Sequence, residues 1–331
     1  MTRDDQIARA VIRHTIDLQR FGEGVRGETL KELVRLETIL VGMISQRSDN
    51  TRFKVLLALA ESETNKALSA AEKRALRDNF RLIQLEATVA AGQINAVMGT
   101  AIATNTVSAA FSKSVMRRAL VMGAPAAEWW GRQRRATYSR FADIVRAGVL
   151  TGKDNGTMVR EWREASGQLR RHAEAQIRTS VMSVANAARF EMYEAHKDLI
   201  KGYRVLATLD LRTSALCRAR SGMHWEVDGS PMDGTTDKFP GPPPWHWNCR
   251  SMLVPILEID KTFVGMQSSK DGPVAGDISY DQWFKSLPEA EQIEVLGKRK
   301  HAIWKEGKLS MRDMVDQSGR PLTIEELEAR V

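Results

Sequence analysis

The chain has 331 residues, of which 43% are hydrophobic, so a disordered polymer is excluded and about two domains are expected. No run reaches the roughly 18 apolar residues that a membrane helix needs, so we expect no membrane association. The first residues lack the apolar core of a secretory signal. Two cysteines in the whole chain exclude a disulfide scaffold and favour a reducing cytoplasm.

The positive charge of the chain is concentrated in one stretch. The net charge is +8, and residues 111–180 hold 14 Lys and Arg against 6 Asp and Glu, so this stretch alone accounts for the excess. A local excess indicates a local anionic partner rather than a general property of the protein. A solvated helical face rich in arginine is the other interpretation, and charge patterning alone does not separate the two.

Residues 1–110 are predicted to be helical, with a possible contact to a partner protein. Apolar residues recur at helical spacing in 8–16 and again in 30–40. Between these stripes, residues 21–27 (FGEGVRG) contain three glycines, which predicts a loop. The pattern Ser-Ala-Ala-Glu at 69–72 is typical of a capping box and predicts a helix from there to about residue 103.

Residues 111–200 form the basic helical region. Two tryptophans beside clustered arginines suit contact with nucleic acid, because stacking and phosphate binding are both available there. A core face combined with a protein interface is the alternative. The candidate contacts to nucleic acid or a partner are Arg132, Arg134, Arg135, Arg170 and Arg171. A helix with one apolar face is predicted from 168 to 199.

The pattern changes from helix to strand at residue 200. Residues 203–210 alternate and are rich in β-formers, which predicts a strand. A second strand is predicted over 251–257, at the edge of its sheet because Pro255 cannot donate a backbone hydrogen bond. The forty or so residues between the strands are rich in turn formers. A loop of that length needs something to hold it together.

Both cysteines and two histidines lie within that insert, in the order Cys217, His224, His246, Cys249. Thiolate and imidazole are the ligands of tetrahedral zinc sites, and one structural Zn²⁺ would supply the core that the insert lacks. Two small buried thiols beside hydrogen-bonded histidines are an alternative. A disulfide between Cys217 and Cys249 is a third interpretation.

Several other residues of the insert suit the closing of a loop. Asp210, Arg212 and Thr213 follow the first strand, where Asp and Thr satisfy exposed backbone donors. Pro243 and Pro244 belong to a proline run that predicts an extended arm. Arg250 follows Cys249 directly, and its five donors could tie the Asp210 turn to the second strand.

Residues 209–217 (LDLRTSALC) and 241–250 (GPPPWHWNCR) resemble the signature of the Mu F-like head morphogenesis proteins of phages. The signature pairs an Asp-x-Arg-Thr turn with a later Pro-Pro, His and Asn-Cys-Arg, here including Asn248. The preceding helix, with Arg178-Thr179, Asn186 and Arg189, is similar too, so the resemblance covers about 165–258. The family often has a second Cys where this chain has Ser251, in which case a four-ligand site here would need His224.

The resemblance implies a structural minor virion protein, present in few copies and associated with the portal vertex. It implies a role in procapsid assembly, DNA packaging or ejection, and a location in the head interior or at the portal vertex after assembly in the host cytoplasm. The implied partners are the portal protein and other head proteins. Packaged double-stranded DNA, bound without sequence specificity, would account for the basic stretch.

The expected fold is mainly α (α+β), in four regions. A helical region (1–110) and a basic helical region (111–200) precede a β-hairpin module with the Cys/His insert (201–258) and a helical tail (259–331). In the tail, capping boxes are expected at Ser286, Ser310 and Thr323.

No phosphate loop, zinc-protease helix or nucleophile elbow occurs in the sequence, so we expect no enzyme. Two alternatives remain open. One is a DNA-binding protein whose fold a zinc module orders. The other is a hydrolase or transferase that uses the Cys/His pair.

Overall fold

The computed structural model describes residues 3–48, 52–98, 107–232, 234–257, 266–275 and 278–331. These residues form a mainly α structure with small antiparallel sheets, which confirms the expected fold class. The helices are α1 (Arg3–Ser45), α2 (Phe53–Met98), α3 (Ala109–Arg118), α4 (Ala126–Thr151), α5 (Asn155–Ala195), α6 (Ala215–Arg220), α7 (Tyr280–Lys285), α8 (Glu289–Leu296), α9 (Lys298–Lys305) and α10 (Ile324–Glu328). The strands are β1 (Leu120–Val121), β2 (Ala124–Pro125), β3 (Ile200–Leu206), β4 (His224–Glu226), β5 (Pro231–Met232), β6 (Met252–Leu257), β7 (Met266–Ser269) and β8 (Gly272–Ala275).

The four long helices α1, α2, α4 and α5 pack into a bundle. Leucines spaced three and four residues apart on α1, among them Leu33, Leu36 and Leu40, are buried against the neighbouring helices. Phe141 of α4 meets Trp162 of α5 edge to face, with ring centroids 5.2 Å apart. Burial of these large side chains is the main source of the bundle's stability.

The loop predicted at 21–27 does not exist, because α1 runs through it without a break. Val25 lies in this segment and is buried in the bundle core, so packing outweighs the cost of about 0.5–1 kcal/mol for each helical glycine. The side chains of the stripe predicted at 8–16 lie outside the described residues, although their backbone belongs to α1.

The helix start predicted at Ser69 is also wrong, since Ser69 and Glu72 lie inside α2. Both side chains instead accept hydrogen bonds from Arg134 of α4, at 3.2 Å to Ser69 and 2.6 Å to Glu72. The end expected near residue 103 lies outside the described residues.

Helix α5 is longer than the 168–199 predicted for it. It begins at Asn155, because Asp154 caps its first turn by accepting a hydrogen bond from the backbone N–H of Thr157 at 2.9 Å. Its first half packs in the bundle core and its second half packs against the sheet. A single helix therefore joins the bundle to the β-module.

The main sheet has the strand order β5-β4-β3-β6, with all neighbours antiparallel. Strand β6 lies at the edge, as Pro255 predicts. At Gly202 the carbonyl oxygen of Trp225 lies 2.0 Å from the position that a Cβ would take, so only glycine allows this approach of β3 and β4. Leu206 pairs with Met252, which places the end of β3 beside the start of β6.

The C-terminal tail has its own apolar core, which includes Trp283, Phe284, Trp304 and Leu327. The capping boxes expected at Ser310 and Thr323 are present. The one expected at Ser286 is wrong, since Ser286 ends α7 and α8 follows Pro288.

Within the described part of the chain, none of the helices combines the length and the apolar character that a membrane crossing requires.

Candidate functional site

The candidate site lies where the chain leaves β3 and where it returns to β6. Because these two strand ends are neighbours in the sheet, residues 208–217 and 246–251 meet there although some thirty residues separate them. Ser214 caps the short helix α6, accepting a hydrogen bond from the backbone N–H of Cys217 at 3.2 Å. This cap fixes the first turn of α6 and thereby the direction of the Cys217 side chain.

Asp210 and Arg250 close the insert with a bidentate ion pair. The two terminal guanidinium nitrogens of Arg250 donate to the Asp210 carboxylate at 2.5 and 2.8 Å. Asp210 also accepts from the backbone N–H of Arg212 at 3.1 Å and from the Thr213 hydroxyl at 3.0 Å. Burial raises the pKa of Asp210, but the bonds and charge of Arg250 outweigh it, so the pKa lies below its ordinary value.

Three of the four predicted metal ligands come together. Cys217 Sγ lies 3.7 Å from Cys249 Sγ and 3.0 Å from His246 Nε2. The ligand atoms of these three residues all lie within 4.8 Å of one another. Both thiols are buried, whereas the imidazole is half-buried.

His224 does not belong to this group, so the predicted set of four is corrected to three. His224 lies on β4, opposite Arg204 of β3, and β3 separates it from β6. Two strand spacings of about 4.8 Å each lie between β4 and β6, and Cys249 directly precedes β6. This distance keeps the His224 imidazole from the two thiols.

His246 presents the nitrogen that a metal requires. Its Nδ1 lies 2.8 Å from the carbonyl oxygen of Trp247. A carbonyl oxygen only accepts, so Nδ1 carries the proton and donates it, while Nε2 keeps its lone pair toward Cys217. A hydrogen bond of this kind from the far nitrogen is usual for metal-bound histidine.

The two thiols are electrostatically coupled. The hydrogen bond from Cys217 lowers the pKa of Cys249 despite burial, and His246 lowers it further. The same bond, together with burial, raises the pKa of Cys217. The first proton therefore leaves Cys249, and a cation is needed before both sulfurs can be thiolates.

The donor set fits zinc in type and nearly in distance. Two thiolates on a tetrahedral Zn²⁺ lie about 3.8 Å apart for Zn–S bonds of about 2.3 Å, and the sulfurs of Cys217 and Cys249 are 3.7 Å apart. A thiolate and an imidazole nitrogen would lie about 3.5 Å apart. The contact of Cys217 with His246 is 3.0 Å, so the imidazole would move outward by about half an ångström.

Helix α5 holds the second strand of the site in register. Asn186 donates to the carbonyl of Ser251 at 3.1 Å and accepts from the backbone N–H of Leu253 at 2.9 Å. Thr179 accepts from the backbone N–H of Asn248 at 3.0 Å. Asn248 has a positive φ of 59°, a conformation that asparagine tolerates better than most residues.

The proline arm lies along the rim of the site. The bond between Pro243 and Pro244 is cis, and the indole of Trp245 donates to the carbonyl of Gly241 at 3.1 Å. The guanidinium of Arg220 lies 4.5 Å above the Trp245 ring. Trp245 packs against the small buried cluster of Ala207, Cys217 and Cys249, so the arm covers one side of this cluster.

The five arginines predicted to contact nucleic acid or a partner differ in their surroundings. Arg134 and Arg170 pair with Glu72 and Glu37 of other helices, at 2.6 and 2.8 Å. Arg132 pairs with Glu128 and lies 4.3 Å above the Trp129 ring. Arg135 and Arg171 are exposed and have no ion pair within the described residues. Part of the local excess charge is therefore balanced by carboxylates from elsewhere in the chain.

Residues 139–254 match the family model of phage Mu protein F like proteins. Over these residues the chain is similar to the Mu F-like family. The Mu F-like segment begins in α4, includes all of α5 and ends in β6, so it contains the ion pair, the thiols and His246. No curated protein and no solved structure matches the chain.

Ser214 is the site residue that the sequence did not single out. Its hydroxyl lies 2.8 Å from His246 Nε2. A serine three residues before a cysteine at a helix start was the available signal, since an N-cap directs its oxygen toward that backbone position.

Proposed function

We propose that the chain is a structural minor head protein of a phage, associated with the portal vertex and with the other head proteins around it. The observation that carries the proposal is the match of residues 139–254 to the Mu F-like family model, because these residues include the Asp210–Arg250 pair, the two thiols and His246. The module suits a structural role, because the Asp210–Arg250 pair and the buried thiols hold a long insert closed. Support of procapsid assembly, DNA packaging or ejection would follow from that position.

Co-purification with the portal protein of the same phage tests this proposal. The two proteins are expressed together, with the full-length chain tagged, and the complex is analysed by size exclusion. We expect the portal ring to elute with the chain. Separate elution at micromolar concentration would contradict the association. A double variant, Asp210→Ala with Arg250→Ala, tells whether the module or the bundle makes the contact.

We further propose that Cys217, His246 and Cys249 hold one structural Zn²⁺. Bound there, the ion would add a second cross-link beside the Asp210–Arg250 pair, and its ligands would be two thiolates and a neutral imidazole. Metal analysis of the purified chain should find about one zinc per chain. The variant Cys249→Ser should lose it, whereas His224→Ala should keep it. A wild-type chain without zinc would overturn this part of the proposal.

Double-stranded DNA is a second candidate partner, favoured by the exposed and unpaired Arg135 and Arg171. Filter binding over a salt series tests it. We expect retention that falls with salt, and a slope reduced by about 2 when both arginines are changed to Gln, about one for each phosphate that is no longer neutralised. A matched control changes Arg20 and Arg299, which are also exposed, and should leave the slope unchanged. Retention independent of salt would contradict DNA binding.

A further inference from the structure

We propose that the metal centre has three protein ligands and takes its fourth donor from solution, at a position that is partly open to solvent. The inference rests on the zinc centre proposed above and names its remaining ligand. It predicts a water or hydroxide on the metal that a small anion can replace.

The first observation is the ligand count. Cys217, His246 and Cys249 form the group, and within the described part of the chain no fourth Cys, His, Asp or Glu side chain joins them. Zinc in proteins is almost always four-coordinate in structural sites. A fourth donor must therefore come from a hydroxyl group or from solution.

The second observation is a small cavity beside two of the three ligands, Cys217 and His246. It has a volume of about 20 Å³, is partly open to solvent, and is lined by Thr213, Ser214, Cys217, His246 and Ser251, among others. A single water needs about 10–15 Å³ measured in this way, so the cavity has room for one metal-bound water. Because the cavity is partly open, a small anion can bind the metal by one end and extend into solvent.

The third observation is the set of hydroxyl groups that face this position. Ser214 Oγ lies 2.8 Å from His246 Nε2 and is held there because it accepts from the backbone N–H of Cys217. The hydroxyl of the buried Ser251 lies beside the Cys217 sulfur. Two hydroxyls at the cavity wall offer a metal-bound water the polar partners that an ordered water requires.

The charges around the cavity favour an anionic form of the ligand. Two thiolates neutralise the charge of Zn²⁺, so the ion does not repel or strongly attract a further anion by net charge. Arg250 lines the cavity, but the Asp210 carboxylate offsets its charge. Arg220 lies close enough to both sulfurs to interact with their charge, so its guanidinium favours hydroxide or a small anion over a neutral donor.

X-ray absorption of the zinc-loaded full chain counts the ligands. We expect two sulfurs, one imidazole and one further light donor. In Ser251→Cys we expect three sulfurs and one imidazole, because the new thiol replaces the water. Ser139→Cys adds a thiol on the exposed face of α4 and should leave two sulfurs, which controls for non-specific metal capture.

Exchange of the fourth ligand is measured on the cobalt-loaded chain. Azide should shift the visible bands of the wild type and of Ser139→Cys, but not those of Ser251→Cys, whose fourth position is a thiolate. Two results would overturn the open position while leaving the zinc proposal intact, provided that one metal is bound per chain. One is a second imidazole on the metal in the wild type. The other is a metal with only two sulfur ligands in Ser251→Cys. Equal azide shifts in all three proteins, or none, would also overturn it. Absence of any bound metal would overturn both.

Discussion

Asp210 and Arg250 carry the ion pair that brings the two ends of the insert together. The pair should contribute more to stability than a surface ion pair does, because the Asp210 side chain is only 14% exposed and that of Arg250 is 30% exposed. In addition, the bidentate geometry orients both groups. Asp210 in addition fixes the turn through the Arg212 backbone and the Thr213 hydroxyl. Loss of either partner leaves the other charge partly buried.

A double-mutant cycle on Asp210→Ala and Arg250→Ala should give a coupling free energy of about 1–3 kcal/mol, as for hydrogen bonds between charged groups. Urea unfolding of the four proteins measures it. The control cycle is Arg299 with Glu328, a pair whose side chains are 64% and 51% exposed, for which about 0–1 kcal/mol is expected. Equal coupling in the two cycles would contradict the special role of the first pair.

At the level of residues, the sequence predicts the site residues whose positions along the chain suffice to bring them together. Cys217, His246, Cys249, Asp210 and Arg250 can be identified because they lie at the two ends of one insert. The prediction for His224 rests on its residue type and is wrong, because strand order decides which side of β3 it occupies. Ser214 escapes prediction because a capping serine looks the same in sequence whether or not its hydroxyl also faces an imidazole.

At the level of elements, glycines distinguish helix α1 from the loop predicted in its place. A Cβ at Gly24 or Gly27 meets nothing within 4 Å, so alanine there should raise the free energy of unfolding by about 0.5–1 kcal/mol at each position. In contrast, Gly202→Ala should destabilise the β-module strongly, since its Cβ would lie 2.0 Å from the Trp225 carbonyl oxygen. Thermal unfolding of the three variants measures the effects. If alanine at Gly24 or Gly27 lowered the free energy of unfolding, the result would favour the loop predicted at 21–27 over a continuous helix α1.

The elements that sequence patterns predict best are those with a local chemical cause. Pro255 predicts the edge position of β6, and Thr323 predicts the start of α10. The errors arise where tertiary packing decides. The glycines at 22–27 remain helical because Val25 is buried in the bundle core. Ser69 accepts a hydrogen bond from Arg134 and does not cap a helix. A capping-box pattern describes only local sequence, so it does not reveal that a residue of a neighbouring helix will hydrogen-bond to the serine.

A buried ion pair links α2 to α5, and His14 of α1 joins it. Glu86 accepts from Arg189 and from His14 at 2.7 and 2.6 Å, and all three side chains are buried. Burial raises the pKa of Glu86, but the charge of Arg189 and the bonds from His14 and Arg189 outweigh it. The pKa of Glu86 therefore lies below its ordinary 4.5.

A carboxyl group whose folded-state pKa is lowered adds stability above its ordinary pKa, and that stability is lost as the pH falls through the folded value. Glu86→Gln should cost about 3–5 kcal/mol at pH 7, because Arg189 is left buried without its counter-charge. The difference from the wild type should shrink as the pH falls below 4.5. Urea unfolding over a pH series measures it. A difference that stays constant down to the acid limit of folding would contradict this role of Glu86.

At the level of the whole molecule, α5 connects a helical bundle with its own core to the β-module that carries Cys217, His246 and Cys249. Removal of the proposed zinc should therefore loosen the module and leave the bundle intact. Hydrogen exchange after chelation should show faster exchange in residues 208–251 and unchanged protection in α1 and α2. Uniform loss of protection would mean that the metal holds the entire fold. No change anywhere would mean that the thiols need no metal.

The distribution of charge is also a property of the whole chain. The excess within 111–180 is partly balanced by Glu37 and Glu72, which lie far from it in sequence. Composition is compatible with an anionic partner or with a solvated helical face for this stretch, whereas the fold shows which arginines remain available to a partner. Arg135 and Arg171 are the two among the predicted contacts that keep an exposed, unpaired charge in the described structure.

We propose that the chain is a minor component of a phage head. Quantitative mass spectrometry of washed, purified heads tests this proposal, with the portal and the major capsid protein as internal standards. We expect the chain at a few copies for each portal ring, far below the major capsid protein. Heads that package DNA and infect normally without any copy of the chain would contradict it.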